Sequence, residues 1–464
     1  MDKITVLDSI MGSGKTTYML NYLNEVQALQ DKEEEEFPCD GLKRRFLYVT
    51  PTQAEVDRVA EHCPTLRFHD PEPIHGRKLW DLGRLILEGR NVCTTHALFS
   101  MLTREIYDLL RERNYTLIID EVVTCVDLLR SLKTADRKML FDGDYVRIGD
   151  RNHLVWNHER YPGYRGRFDD IRNLCDNGNL VAYGRNPTTG LPTVLIWEFP
   201  ADFLRCFHEV YILTYLFYGS PMLSYFKAEG LEFTMNAVRD GQLIGWHESN
   251  EGAIKTKLRD LITIYTGPMN SVGDPQPKSQ PLSATWFERQ AKSNDGDVRQ
   301  LRQSTINFFE RIAGTPSALN AWTTFKDAKS RLKGYGYARG FISLGTKATN
   351  DHIEKRSMAY LANIFHQPVI KGFFQERGIH VYEEMHALSE MIQWIWRSGI
   401  RRGDPIHVFV PAKRMRDLLN IWLESDNAAG LLWSTAEGQN QADAEIRHLK
   451  TSASPLQAIE KQPF

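Results

Sequence analysis

The stretch ITVLDSIMGSGKTTYML, residues 4–20, constrains the fold of this chain more than any other part of it. An apolar run leads into a glycine-rich segment, and residues with helical periodicity follow. A loop that binds phosphate needs a strand to hold it, backbone N–H groups that point inward and a helix whose amino end attracts the anion. The stretch therefore predicts a strand, a phosphate-binding loop and a helix in direct succession.

The residues of this loop have the chemistry that a nucleotide site requires. Gly12 and Gly14 let the backbone approach the phosphates closely. Lys15 can reach the β and γ oxygens, and the Thr16 hydroxyl can ligate Mg²⁺. Ser9 stands where the usual pattern has glycine, at the point where the chain leaves the strand. The predicted nucleotide-binding residues are Ser9, Met11, Gly12, Ser13, Gly14, Lys15, Thr16 and Thr17.

A second motif, YTLIIDEVV at residues 115–123, places two acids at the end of an apolar strand. Asp120 is suited to hold Mg²⁺ through water, and Glu121 to orient or deprotonate an attacking water. Magnesium, a carboxylate and a phosphate loop are the minimum for phosphoryl transfer. The second acid favours hydrolysis, because a small-molecule kinase needs no water-polarising glutamate at this position.

The third element is ALSEMIQWIWRSGIRRG, residues 387–403, which is predicted to be helical. On a helix, the side chains of Gln393, Arg397 and Arg401 fall within an arc of about 80°. They would then face one direction, toward the γ-phosphate oxygens of a nucleotide held by another domain. Such an arginine finger stabilises transition-state charge. Taken alone, the pattern also fits a surface helix whose arginines bind acids.

Apolar runs and helical patterns alternate along the 464 residues, which predicts two α/β domains with parallel sheets. The strands predicted for the first block are residues 4–8, 45–50, 91–95, 115–120 and 210–216. Those predicted for the second block are residues 261–266, 339–345, 379–384 and 406–411.

We expect a first domain at 1–228, a second at 229–430 and a polar C-terminal tail at 431–464. Residues 140–205 are rich in Gly, Asp, Arg and aromatic residues with closely spaced turn signals, which predicts a small β-rich insertion. Its arginine and aromatic side chains fit either a stacking surface for unpaired bases or a small apolar cluster. The sequence leaves both interpretations open.

Composition excludes several classes of protein. A net charge of −2 excludes nucleic-acid binding by bulk charge, but basic clusters at 41–45, 396–403 and 412–417 leave a local groove possible. No apolar run approaches the roughly 20 residues of a membrane span. The cysteines show no metal-ligand spacing, so we expect reduced, buried thiols in an intracellular protein without a zinc site.

Taken in order, these motifs resemble those of superfamily 2 helicases, specifically the bacteriophage-type DEAD/DEAH-box-related group. The matching segments are SIMGSGKT, YVTPT, CTTHALF, DEVV, ILTYLFYGSP, GTKATND and QWIWRSGIR. They cover residues 4–223 and 340–415. The resemblance implies two tandem RecA-like P-loop NTPase domains with ATP bound between them and nucleic acid crossing both.

Roles follow from the resemblance by position. Lys15 and Thr16 would bind ATP and Mg²⁺, and Asp120 and Glu121 would form the hydrolytic pair. Thr214 would couple hydrolysis to movement. The residues that would sense the γ-phosphate are Gln393, Arg397 and Arg401. Those that would touch the phosphodiester backbone are Thr50, Pro51, Thr52, Thr94, Thr95 and His96 in the first domain and Thr346, Lys347 and Thr349 in the second. Short hydroxyl side chains hold phosphates without reading bases.

The sequence departs from the helicase pattern at several positions. Ser9 replaces glycine, the acidic box reads DEVV, the segment at Thr214 lacks S-A-T, and the second arginine of QWIWRSGIR comes one residue late. Only eight residues precede Ser9, and they contain no adenine-reading glutamine. These departures make ATP hydrolysis a firmer expectation than base preference, and translocation a firmer one than unwinding.

The resemblance implies an ATP-dependent translocase or helicase that acts in phage replication or recombination in the cytoplasm of the infected bacterium. Its expected partners are single-stranded or tailed duplex nucleic acid, with DNA favoured over RNA, and phage replication proteins, without a membrane. The alternatives are an ATP-gated clamp or loader and a packaging-type ATPase. A nucleotide kinase fits less well, because it has no use for a second domain with arginines.

Overall fold

The computed structural model of the chain describes residues 3–36, 43–293, 295–345, 352–428 and 430–431. Within these ranges, no helix is long and apolar enough to cross a membrane. The strands are β1 Lys3–Asp8, β2 Arg45–Thr50, β3 Val92–Thr95, β4 Tyr115–Asp120, β5 Val126–Leu128, β6 Val146–Ile148, β7 Leu154–Trp156, β8 Leu180–Arg185, β9 Pro192–Glu198, β10 Glu209–Thr214, β11 Phe233–Arg239, β12 Gln242–Gly245, β13 Ile262–Ile264, β14 Asn320–Thr323, β15 Ser357–Tyr360 and β16 Ile406–Phe409.

Helices lie between most of these strands. They are α1 Lys15–Glu36, α2 Gln53–His62, α3 Lys78–Leu87, α4 His96–Phe99, α5 Arg104–Arg111, α6 Thr134–Asp142, α7 Asp169–Asp176, α8 Ala201–Leu204, α9 Pro221–Ala228, α10 Gly252–Leu261, α11 Ala284–Lys292, α12 Gly296–Asn307, α13 Lys329–Leu332, α14 Pro368–Gln375, α15 Glu383–Ile395 and α16 Lys413–Glu424. Single 3₁₀ turns, such as Phe217–Gly219 and Gly399–Arg402, connect several of them.

The first sheet has the strand order β12-β11-β1-β10-β4-β2-β3, and only β12 runs antiparallel to its neighbour. Strand β10 lies between β1 and β4, with Asp8 opposite Thr214 and Leu213 opposite Asp120. Because parallel strands end at the same edge, the phosphate loop after β1 and the acids after β4 are brought to one edge of the sheet. Strands β1, β2 and β4 are buried and apolar, which explains why the sequence predicted them correctly.

The second sheet has the order β13-β16-β15-β14, and all its strands are parallel. The strands predicted at 339–345 and 379–384 were wrong. At 339–345 only Phe341 forms an isolated bridge to Trp322. At 379–384 the adjacent acids Glu383 and Glu384 begin α15 instead. Their negative charges are stabilised by the positive amino end of the helix.

Strands β14 and β15 were missed because their sequences, NAWT and SMAY, are short and begin with polar residues. All eight of their residues are nevertheless buried. The packing of the second sheet therefore overrides a weak local pattern.

The inserted segment forms an antiparallel sheet, β5-β9-β8, and the hairpin β6–β7. It begins at Val126, earlier than the predicted residue 140, because β5 pairs with β9. Its aromatic side chains pack on one another around the buried Trp156 and Phe168, and the Tyr145 and Tyr161 rings stack with centroids 4.1 Å apart. The aromatic residues form a small apolar core, in agreement with the second of the two interpretations left open.

The predicted α/β class is confirmed, and two mainly parallel sheets with flanking helices fit tandem RecA-like domains. The first sheet reaches Gly245, beyond the boundary expected at 228, because β11 pairs with β1. The α1 helix continues through the acidic run at residues 33–36 and ends at Glu36. The five described cysteines, Cys63, Cys93, Cys125, Cys175 and Cys206, are free thiols.

Candidate active site

A cavity of about 640 Å³ opens between the carboxyl edge of the first sheet and the end of α15. Residues that are far apart in the sequence line this cavity. From the first half of the chain it is lined by Met11, Gly12, Gly14, Lys15, Thr16, Thr17, Arg58, Asp120, Glu121 and Thr214. From the second half it is lined by Gly345, His386, Glu390, Gln393, Trp396, Arg397 and Arg401.

The glycine-rich loop has the backbone that the sequence predicted. Gly12 and Gly14 have φ angles of 82° and 87°, a left-handed region that favours glycine. The Lys15 ammonium donates hydrogen bonds to the carbonyls of Ser9 and, at 3.3 Å, of Ile10. Its enclosure lowers the pKa of Lys15, while the nearby Glu121 raises it. The loop thus holds a cation beside the amino end of α1.

Ser9 has a structural role that glycine cannot perform. Its hydroxyl accepts a hydrogen bond of 2.7 Å from the Val238 N–H, and its own N–H donates to the Thr214 carbonyl at 3.1 Å. Ser9 is buried and, like Ser13, does not line the cavity. The serine that departs from the usual loop pattern therefore joins the end of β1 to β11.

Thr16 and Asp120 stand side by side in the cavity. The Thr16 hydroxyl donates to Asp120 Oδ2 at 3.3 Å. The pKa of Asp120 is raised to about 7, chiefly by burial and then by Glu121, while Arg58 and Lys15 oppose the rise. A hydroxyl and a carboxylate are ligand types that Mg²⁺ prefers, and a bound cation would favour the ionised carboxylate. The two side chains therefore fit a magnesium site.

Glu121 is held in a strained conformation directly after β4. Its φ is 65°, in the left-handed region, and its N–H donates to the Leu213 carbonyl at 2.9 Å. Non-glycine residues in this region cost about 1–3 kcal/mol and cluster at functional sites. Glu121 lines the cavity at this point.

The helix predicted to carry three γ-phosphate ligands is shorter than expected. It ends at Ile395, and Arg401 lies in the 3₁₀ turn Gly399–Arg402. The prediction of one continuous helix was wrong, because Ser398 is extended and its side chain bonds to the Ile400 N–H to begin the new turn. Gln393, Arg397 and Arg401 nevertheless all line the cavity.

Arg397 carries the clearest sign of an incomplete site. Its side chain is only 6% exposed, and Nε and Nη1 are buried without a hydrogen-bond partner in the part of the chain that the structure describes. Burial lowers the pKa of Arg397, while Glu390 and Glu121 raise it. An unsatisfied buried guanidinium is costly unless an anion binds it. The cavity therefore suits an anionic ligand.

Comparison with known proteins places the chain in a family. It is 37% identical over 439 residues to the SPbeta prophage-derived protein YonV of Bacillus subtilis (strain 168), covering 92% of this chain and 100% of that protein. The chain belongs to the YonV family. Residues 128–197 match the YonV middle domain, and residues 256–423 match the YonV C-terminal Rossmann-like domain.

Two solved structures are similar to this YonV-family chain. The structure of S. tokodaii Xpd4 is 11% identical, with a TM-score of 0.42 and coverage of 92% of this chain and 95% of that one. The DUF1998 helicase MrfA bound to DNA is 12% identical, with a TM-score of 0.28 and coverage of 92% of this chain and 50% of that one.

Three of the six nucleic-acid contacts predicted for the first half are buried in this YonV-family protein. Thr50, Thr94 and His96 are buried. The Thr50 hydroxyl donates to the Thr52 carbonyl at 3.0 Å, and His96 Nε2 lies 2.8 Å from the Asp120 carbonyl oxygen. Packing within the first half of the chain takes up these side chains, and their contact with a phosphodiester backbone stays a prediction. Pro51, Thr52 and Thr95 are half-buried, and Thr346, Lys347 and Thr349 lie outside the described residues.

Two cavity residues of the YonV-family chain were missed by sequence reasoning. The Trp396 ring lies against the loop, since a Cβ added at Gly12 would stand 3.3 Å from its Cζ2 atom. Arg58 of α2 lowers the pKa of Asp120 and lines the same cavity. Sequence reasoning assigned neither side chain to the site, because both positions depend on how the halves of the chain pack.

Proposed function

We propose that this protein hydrolyses ATP in the cavity and uses the energy to move along nucleic acid, or to unwind it. One observation carries the proposal: the cavity brings the loop cation Lys15, the acids after β4 and the buried Arg397 of the second half to one place. Catalysis of phosphoryl transfer is largely positioning and electrostatic stabilisation, which such a set of groups supplies.

The residues of the first half divide the chemistry among them. The loop N–H groups and Lys15 bind the β- and γ-phosphates. Thr16 and Asp120 would hold Mg²⁺, which would neutralise charge on the phosphate oxygens. Glu121 orients the attacking water and accepts its proton. The strained backbone of Glu121 supports this role, because such strain clusters at functional sites and Glu121 lines the cavity.

Arg397 completes the site from the second half. Its unsatisfied guanidinium is suited to bind γ-phosphate oxygens and to stabilise the charge that develops on them. Gln393 and Arg401 line the same wall as further donors. Because the loop and Arg397 lie on different halves, binding and hydrolysis of ATP change how tightly the two halves are held together.

The segment that follows Thr214 is placed to transmit this change. Both carboxylate oxygens of the buried Asp8 accept backbone N–H groups beyond Thr214, from Leu216 at 2.8 Å and Phe217 at 3.2 Å. The adjoining Gly219 packs against the backbone of Met385 in α15, where a Cβ would come within 2.5 Å. A shift at the phosphate loop therefore reaches the helix that leads to Arg397.

Displacement of a labelled strand from a tailed duplex tests this function. We expect ATP-dependent displacement by the wild-type protein and none by Glu121→Gln, which keeps the size of the side chain but removes its charge. ATP hydrolysis without displacement would indicate translocation only. ATP-dependent binding of nucleic acid without steady-state turnover would instead favour the clamp or loader.

A further inference from the structure

A basic segment follows β14 on the second sheet. Residues 326–339, KDAKSRLKGYGYAR, contain the cations Lys326, Lys329, Arg331, Lys333 and Arg339 and a single acid, Asp327. The chain as a whole has a net charge of −2, so this is a strong local excess of positive charge. Such a stretch is often a solvated surface without function. A binding role therefore needs support from the structure of the segment.

The middle of this segment is rigidly held. The buried Tyr337 donates its hydroxyl to the Leu332 carbonyl, and Asn320 Nδ2 of β14 donates to the Gly336 carbonyl at 2.9 Å. The Trp322 N–H donates to the Gly340 carbonyl, also at 2.9 Å. Gly336 has a φ of 77°, which only glycine adopts readily. Residues 333–339, here named the Tyr335 loop, are therefore fixed to the edge of the second sheet.

The anchored backbone presents an aromatic ring to solvent. Tyr335 is 80% exposed, the largest exposure of any large hydrophobic side chain in the described part of the chain. Lys333 and Arg339 are exposed on either side of it in the loop, and neither forms an ion pair with a described residue. Their neighbours are engaged, since Arg331 pairs with Asp295 at 3.1 Å and Lys329 lies 4.0 Å from the Phe341 ring centroid.

We propose that the Tyr335 loop binds single-stranded nucleic acid, with Tyr335 stacking on an unpaired base and Lys333 and Arg339 contacting the flanking phosphates. This proposal rests on the proposed function, and it gives the strand a contact surface that no sequence motif indicated. A rigid exposed ring stacks on a base with little loss of conformational entropy. A duplex offers no free base face. An acidic protein would use the cations but has no need of an exposed aromatic ring.

The loop lies on a short covalent path to the cavity. The chain continues from Arg339 through Phe341 and Ile342, and the Ile342 carbonyl accepts a hydrogen bond of 3.2 Å from Trp394 Nε1 of α15. Gly345 then lines the cavity. A strand held by the loop is therefore linked to the same helix that leads to Arg397.

Fluorescence anisotropy with labelled single-stranded DNA, single-stranded RNA and blunt duplex of equal length tests the proposal on the full chain. We expect Tyr335→Ala to weaken single-strand binding by about 5- to 100-fold and Tyr335→Phe to retain most of it. Lys333→Ala and Arg339→Ala should each lower the salt dependence, the slope of log K against log salt, by about 0.7. Lys292→Ala removes an exposed lysine of α11 and serves as the matched control, with unchanged affinity.

The outcomes separate this surface from the function on which it rests. Single-strand binding by the wild type that Tyr335→Ala leaves unchanged, with both proteins melting at the same temperature, would overturn the surface and leave the motor intact. Binding of poly-L-glutamate in place of nucleic acid, lost in the Lys333 and Arg339 variants, would identify an acidic protein partner and overturn it too. Failure of the wild type to bind any polymer would overturn both proposals.

Discussion

The Tyr215 hydroxyl donates a hydrogen bond of 2.7 Å to the buried carboxylate of Glu251. Tyr215 lines the cavity directly after Thr214, whereas Glu251 precedes α10 and pairs with the buried Lys255 at 2.9 Å. Lys255 also donates to the Ser425 hydroxyl at 2.7 Å, just beyond α16. A buried polar network therefore joins the edge of the first sheet to the last helix of the second half.

Removing one charge of the Glu251–Lys255 ion pair should destabilise the protein more than removing both charges. Glu251→Gln or Lys255→Met leaves one buried charge without its partner, which costs about 3–5 kcal/mol. The double variant Glu251→Gln with Lys255→Met leaves no unpaired charge, so we expect it to be more stable than either single variant. Urea unfolding measures all three. Additive destabilisation in the double variant would contradict a coupled buried pair.

The Arg397→Met variant should lose ATP hydrolysis without losing stability. It removes a buried guanidinium whose Nε and Nη1 have no partner among the described residues, so the free protein should melt at the same or a higher temperature. ATP hydrolysis should fall by at least about 1,000-fold, the effect of losing an arginine finger. Arg401→Met is the matched control, because Arg401 is exposed and its loss should not raise the melting temperature. A marked loss of stability in Arg397→Met would show that Arg397 serves the fold instead.

Asp8 and Asp120 should each make the metal-free protein less stable as pH rises from about 4 to 7. Burial raises the pKa of both Asp8 and Asp120 to about 7, so the folded chain binds more protons in this range than the unfolded chain does. Each carboxylate then lowers the free energy of unfolding by about 1.4 kcal/mol per pH unit. Asp120→Asn should remove its share of the slope in urea unfolding at several pH values. A slope unchanged by Asp120→Asn would contradict the raised pKa.

Stabilisation of the protein by magnesium should increase as pH rises, in contrast to the contribution of Asp120 to the stability of the metal-free protein. Magnesium binds the ionised form of Asp120, so the rise in melting temperature with Mg²⁺ and ATP should be larger at pH 8 than at pH 6. The Asp120→Asn variant should lose most of this difference. An equal rise at both pH values in the wild type would place the cation on other groups.

The Ser9→Gly variant, which restores the usual loop pattern, should lower the free energy of unfolding. The Val238 N–H loses its acceptor in a buried position, which costs about 1–3 kcal/mol. ATP affinity should not improve, because Ser9 does not line the cavity. Urea unfolding and nucleotide titration check both parts. A more stable or tighter-binding Ser9→Gly variant would contradict the structural role of the hydroxyl.

The sequence predicted the parts of the site that local physics determines. The strand before Gly12 and the strand that ends at Asp120 are buried apolar runs, and such runs can be recognised in a sequence. The end of α15 was placed too late, because the break after Ile395 depends on a local bond of Ser398 rather than on periodicity. Strands β14 and β15 were missed because their short sequences are marked only by tertiary burial.

The contributions of long-range packing had no sequence signal. Trp396 reaches Gly12, and Glu251 reaches Tyr215, only because the two halves meet as they do. Thr50 and His96 matched the positions of nucleic-acid contacts in a motif, but in the structure both side chains are buried and lie within hydrogen-bond distance of backbone carbonyls. A motif gives the order of residues along the chain, whereas burial decides which of them a ligand can reach.

Steady-state ATP hydrolysis with and without single-stranded DNA, single-stranded RNA and duplex tests the central claim most directly, with Lys15→Ala as the blank. We predict hydrolysis that one single-stranded polymer stimulates strongly, and a loss of at least about 100-fold in Lys15→Ala. Hydrolysis that is indifferent to every polymer, or that survives in Lys15→Ala, would contradict a nucleic-acid motor driven from this cavity.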